Sequence, residues 1–139
     1  MSYGDVYTSL QTGIIDGSEN NETVLTTGMH GEICKYFSVD QHTMIPDVLV
    51  IATDTWNSLS EEDRQILLDA ARNSTDNHIL EWEAAVNDAL ETAKTEMGVT
   101  IVEDVDKEAF RQATAGMIGE YREQYPKVGT VLDIIDSVE

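Results

Sequence analysis

Basic side chains are scarce. The 139-residue chain carries 8 lysines and arginines against 27 aspartates and glutamates, a formal net charge of −19. A surface of that sign repels nucleic acid and anionic lipid, which makes both poor partners. It also repels free carboxylates at long range, so an acid could be held only by local attraction from a positioned arginine or oriented amides. The charge itself reads as a solvated surface, suited to a salty environment. Cysteine is nearly absent: Cys34 stands alone, which excludes an intramolecular disulfide. No apolar run approaches the length of a membrane span. Met1 is followed by SYGDVYTSLQ, without the basic and apolar regions of a signal peptide.

Catalytic and metal signatures are lacking too. His30, His42 and His78 fall in three different expected elements, and no Cys/His metal spacing exists. His30 and Cys34 are four apart on one expected helix, with no further ligand nearby. Cys34 has no activating pattern, and no glycine-rich phosphate loop is present. DGSENNET begins like a calcium loop. Its sixth position is Asn21 where glycine is required, and its twelfth is Thr27 where glutamate is required. No enzyme, metal or cofactor is expected.

What is present fits one helix-rich α/β unit. A first helix is expected from Ser2 or Gly4 to about Thr12, with Val6 and Leu10 on one face and Gly13 closing it. Ile14 and Ile15 read as a short strand that turns at Asp16-Gly17. Asn20 or Asn21 is a candidate cap for a second helix, Glu22 to Cys34. Lys35–Val39 reads as a strand. Val48–Ala52, VLVIA, reads as a strand buried on both faces. A single helical turn is expected over Thr55–Ser58.

Ser60-Glu61-Glu62-Asp63 then starts a helix with a cap and acids in the first turn. No glycine or proline interrupts it before Met97. Its second half carries a stripe of Ile79, Trp82, Val86, Leu90, Ala93 and Met97, and its middle, Asn73–His78, is polar. A long helix with a polar waist suits a strut touching two bodies; the alternative is two helices broken near Ser74. Gly98 ends it, and Val99–Glu103 reads as a strand. Asp106 caps a helix to about Gln124, Pro126 ends that helix, and Val128–Val138 carries a last amphipathic one.

The order of these segments resembles the C-terminal portion of the solute-binding proteins of TRAP transporters, the DctP-type family. YGDVYTSLQTGIIDGSENN is followed by CKYFSVDQHTMIPDVLVIATDTWNSLSEEDRQILLDAA and the long helix. The family pattern E-V-Y-T-A-L-Q-x-G-x-V-D-G-x-E-N is matched from Asp5 to Asn20, with Asp5 for Glu, Ser9 for Ala and Ile15 for Val. The resemblance covers essentially the whole chain.

It implies a partial periplasmic-binding-protein-like (type II-like) lobe with few strands and a strut helix at about 60–97. Residues 1–139 would form a single partial unit, equivalent to the C-terminal portion of a two-lobed protein that captures a small organic acid. The implied setting is periplasmic or extracytoplasmic, and the implied partners are the carboxylate ligand and the TRAP membrane subunits. In the family the asparagine of D-G-x-E-N donates to the ligand carboxylate, which points to Asn20. An aromatic before the E-V-Y-T block lines the same cleft, which points to Tyr3. Residues from His42 to Asp47 return the chain between the lobes, which adds His42. Asn21 is left as the cap.

The family's carboxylate-anchoring arginine lies upstream of the matched block and has no counterpart here. Arg64, Arg72, Arg111 and Arg122 all fall in expected helices. A bidentate arginine is the strongest part of a carboxylate site. The expectation is therefore a truncated solute-binding component with weak or no ligand binding by itself. The alternative is a scaffold or interaction protein derived from that family, without ligand binding. Uncovered apolar faces predict a homo-oligomer in which the long helices pack together.

Overall fold

The computed structural model describes residues 1–138. They form two compact units, one of Met1–Ser38 with Met44–Val102, the other of Val39–Thr43 with the chain from Glu103 onward.

The first unit opens with a 3₁₀ turn, Tyr3–Asp5, that runs into α1, Val6–Gln11. Ser9 and Leu10 are its buried residues. Gly13 follows with φ +71°, a left-handed closure that suits a residue without Cβ. The strand expected at Ile14–Ile15 does not form. Both backbone N–H groups donate to the Ser9 carbonyl oxygen, at 2.9 and 3.3 Å, so they close the end of α1 and are not available to a sheet ladder.

The helix expected from Glu22 to Cys34 is two pieces. α2 spans Val24–Thr27 and a 3₁₀ turn spans His30–Glu32. Between them Met29 takes φ 58°, in the left-handed region that no helix continues through. Leu25 is buried, and Ala93 and Val99 complete the core with it. Phe37, Leu90, Met97 and Ile101 pack around these three.

β1, Tyr36–Ser38, pairs in parallel with β2, Thr100–Val102, in the register Phe37 to Ile101. A parallel pair requires a long crossover between its strands. That crossover carries α3, Thr53–Ser58, and α4, Glu61–Thr95. α4 is one continuous helix of 35 residues, about 52 Å long at 1.5 Å per residue. Ser60 caps it as expected: the Asp63 N–H donates to Ser60 Oγ at 3.1 Å, and the Ser60 hydroxyl donates back to the Asp63 carboxylate at 2.6 Å.

Only the C-terminal end of the α4 stripe meets the core. Ala89 and Ala93 are buried and Val86, Leu90 and Met97 half-buried, while Ile79 and Trp82 are exposed. The run Val48–Ala52 is not a strand, and Val48, Leu49 and Val50 are 73%, 77% and 79% exposed. Its β-branched composition favours an extended chain, but sheet formation needs a neighbouring strand. Among the described residues β1 and β2 pair with each other and leave it none.

The second unit is built on α5, Lys107–Gln124, and α6, Pro126–Asp136. Asp106 caps α5 by accepting the Ala109 N–H at 3.0 Å. Pro126 does not merely end α5: it occupies the first turn of α6, where its missing N–H costs nothing, so that helix starts before the expected Val128. Arg122 fastens the two helices. It donates to the Asp133 carboxylate, to Asp136 at 2.7 Å and to the Gly129 carbonyl at 3.3 Å.

Candidate functional site

The loop that leaves α1 borders an open pocket of about 300 Å³ inside the first unit. Leu10, Val24, Leu25 and Phe37 supply apolar lining, and Asp16, Ser18, Asn20 and Lys35 supply polar lining. The recess exists because α1 ends abruptly at Gly13 and the chain must cross to α2 in an irregular segment. The left-handed Gly13 turns the chain, and Val24 and Leu25 anchor its far end by burial.

Asn20 is half-buried in this wall. Its Oδ1 accepts the Asn21 backbone N–H at 2.9 Å. The amide nitrogen lies on the other side of Cγ and carries two protons. The side chain of this lining residue therefore keeps donors for an acceptor such as a carboxylate or hydroxyl oxygen. Lys35 also lines the pocket, while its ammonium donates to the carbonyls of Gly31 and Met97, each at 2.8 Å and neither of them in the lining. Asp16 sets an opposing charge in the same wall.

Of the three residues expected from the sequence, Asn20 alone lines the pocket. Tyr3 is exposed at the start of the 3₁₀ turn. His42 belongs to the second unit, where its Nδ1 lies 2.9 Å from Asp40 Oδ1. That hydrogen bond holds the Asp40 carboxyl below the ordinary carboxylate range. Nothing in the sequence singles out Lys35, which belongs to no motif, or Ser18, which fills the variable position of D-G-x-E-N.

The arginines are engaged elsewhere. Arg64 donates to the carbonyls of Trp56 and Asn57 at 2.8 and 3.0 Å and sits 5.6 Å above the Trp56 ring. Arg72 pairs with Asp69 at 3.5 Å and Arg111 with Glu108 at 3.8 Å, each within its own helix. Arg122 is committed to α6.

His30 is buried beside the pocket, and burial pushes its imidazole below the ordinary value. Among the described residues no group of three or more His, Cys, Asp or Glu side chains gathers to hold a metal ion. None of the described helices is long and apolar enough to cross a membrane. The arrangement leaves hydrogen-bond donors in the lining for an anionic or hydroxylated small molecule.

Known proteins share this arrangement of segments. Residues 1–124 match the DctP family, described as bacterial extracellular solute-binding protein, family 7. A solute-binding protein of Chromohalobacter salexigens is 36% identical over 138 residues, which are 99% of this chain and 41% of that protein. A TRAP periplasmic solute-binding protein of Anaerococcus prevotii, solved with bound α/β-D-glucuronate, is 40% identical, with a TM-score of 0.87 over 99% of this chain and 44% of that one. Another from Chromohalobacter salexigens, solved with bound D-glucuronate, is 32% identical and superposes with a TM-score of 0.92 over 100% of this chain and 46% of its own. The chain thus spans less than half the length of these relatives. With the family match running from the first residue through α5, the chain belongs to the DctP family of bacterial extracellular solute-binding proteins.

Proposed function

We propose that this chain serves in the extracytoplasmic solute-binding component of a TRAP transporter and takes part in capturing a small organic acid, with hexuronates the first candidates. One observation carries the reading: the Asn20 amide, its oxygen occupied by Asn21, lines a pocket with Lys35 and Ser18 and has protons to donate. The bound D-glucuronate of the two solved relatives supports the hexuronate class. The reading takes residues 1–139 as equivalent to the C-terminal portion of a two-lobed binding protein and the TRAP membrane subunits as recipients of the ligand. Tyr3 and His42, to which the family resemblance also points, are separate candidates for ligand contact, each tested by its own variant. Binding and release are the whole of the chemistry; no bond is made or broken.

The test is a thermal-shift titration of the chain with D-glucuronate, D-galacturonate, C4-dicarboxylates, 2-oxo acids and sialic acid, repeated on Asn20→Ala, Tyr3→Ala and His42→Ala. A saturable rise in Tm with a uronate that Asn20→Ala removes supports the reading. A flat response to every acid overturns ligand capture by this chain.

A second reading, self-association through the long helix, is favoured by the exposed Ile79 and Trp82 on α4. On that reading α4 packs against a second copy and no acid is bound. A sedimentation mass equal to one chain at every concentration would refute it.

A further inference from the structure

We infer that Asn21 is a positioning residue that sets which end of the Asn20 amide faces the ligand; this rests on the site reading proposed above.

The sequence suggested Asn21 as a helix cap. The hydrogen bonds give it another task. Its Oδ1 accepts the Thr23 backbone N–H at 3.2 Å and the Thr23 hydroxyl at 2.7 Å. Thr23 precedes α2, so neither bond satisfies an N–H within that helix. The first turn closes without Asn21's side chain: the Leu25 N–H donates to the Glu22 carbonyl and the Thr26 N–H to the Thr23 carbonyl, both at 3.2 Å. The side chain instead makes a local turn over residues 21–23.

That turn has a consequence one residue earlier. Fixing the backbone at Asn21 fixes the direction of its N–H, and this N–H is held by Asn20 Oδ1 at 2.9 Å. A relay results. α2 is anchored by the buried Val24 and Leu25, Thr23 holds Asn21, and the Asn21 N–H holds the Asn20 oxygen.

The relay matters because an asparagine amide is nearly symmetric in shape and opposite in polarity at its two ends. Rotated by half a turn about its terminal bond, Asn20 would present an oxygen to the pocket. An oxygen repels the carboxylate that the nitrogen attracts. Asn21 therefore determines donor against acceptor at the site without touching the ligand.

The experiment compares the full chain with Asn20→Ala, Asn21→Ala and Asn21→Ser. The serine variant keeps a short oxygen able to make the same turn more weakly and adds no charge. Uronate affinity is measured by titration and fold stability by Tm. The Asn20 side-chain NH₂ pair, assigned by its loss in Asn20→Ala, is followed by NMR without ligand. The expected result for Asn21→Ala is an affinity lower by about five- to tenfold, the worth of one neutral hydrogen bond. Tm should stay near wild type, and Asn21→Ser should recover part of the loss. The Asn20 NH₂ pair should move towards its unstructured position in Asn21→Ala.

If Asn20→Ala abolishes binding while Asn21→Ala leaves affinity unchanged, the site reading stands and the relay is overturned. If Asn20→Ala has no effect on binding, or no uronate binds, the site reading fails and the NMR arm decides the relay. An Asn20 NH₂ pair identical in wild type and Asn21→Ala overturns it.

Discussion

Lys35 and Met97 lie 62 positions apart in the chain and are joined by a 2.8 Å hydrogen bond from the lysine ammonium to the methionine carbonyl oxygen. The same ammonium takes the Gly31 carbonyl at 2.8 Å. The Gly31 carbonyl belongs to the 3₁₀ turn His30–Glu32 and the Met97 carbonyl lies just past α4, places where backbone acceptors lack intrahelical donors and a cation is favoured. Lys35→Met keeps most of the aliphatic stem and removes the donor. It should lower unfolding stability by about 1 kcal/mol, because the site is partly solvated. Urea denaturation measures this, and an unchanged midpoint would mean that water replaces the ammonium without loss.

The two ends of the α4 stripe should respond differently to truncation. Leu25 is 2% exposed and packs on the buried Ala93 end. Leu25→Ala should cost about 2–4 kcal/mol through lost burial and a residual cavity. Ile79→Ala, at the exposed end of the same stripe, should change stability by less than about 0.5 kcal/mol in a chain held monomeric. Equal losses at both positions would show that the exposed half of α4 is covered in solution, as the self-association reading requires.

Gly31 tests the closeness of the core. A Cβ built there meets Met97 Sδ at 2.9 Å and the Leu25 carbonyl oxygen at 3.0 Å. The Met97 side chain can yield, but the Leu25 backbone cannot without moving α2. Gly31→Ala should destabilise by about 1–3 kcal/mol through overpacking, and Gly31→Ala with Met97→Ala should recover only the part due to the side chain. Full recovery in the double variant would show that the backbone contact carries no cost.

The His30 imidazole sits below its ordinary value of 6.5 because burial disfavours its charged form. Below that pH the unfolded chain binds a proton that the folded chain takes up only at lower pH. Stability attached to His30 is therefore complete above 6.5 and is lost as pH falls towards the folded value. The acidic surface complicates the total, since protonating carboxylates relieves repulsion. The difference between wild type and His30→Gln isolates the histidine. From about pH 7.5 to about 5.5, wild type should lose stability relative to the variant. Parallel curves would place His30 in a solvated environment.

Arg122 should make the second unit sensitive to salt. Its bonds to Asp133 and Asp136 hold the guanidinium above its already high ordinary value and tie α6 to α5. Arg122→Gln should speed amide hydrogen exchange in α6, and high salt should move wild type in the same direction by screening. Exchange in α6 that ignores both changes would assign its order to apolar packing alone.

Much of the fold was legible residue by residue. Ser60 and Asp106 are short polar side chains before helical runs, and both cap as their chemistry demands. The unbroken run to Met97 is one helix because no residue in it removes an N–H or frees the backbone. The D-G-x-E-N match singled out Asn20, which lies in the lining of a pocket; its contact with a ligand belongs to the proposal. Val48–Ala52 was not legible, since strand composition states a preference and leaves the partner unspecified. Met29 was not legible either: a left-handed methionine is held by its surroundings, and nothing in its own side chain announces it. Lys35 was passed over because its value lies in two carbonyls brought to it from distant segments.

By itself the sequence determined the acidic surface, the caps, the long helix and the family. These follow from local chemistry: charge, helix propensity, and side chains that bond within a few residues. Only the tertiary structure decided which part of the α4 stripe is core, that β1 and β2 pair, that VLVIA stays unpaired, and that Lys35 closes two helix ends. Each of these depends on contacts between residues far apart in the chain, and such contacts are set by which surfaces meet.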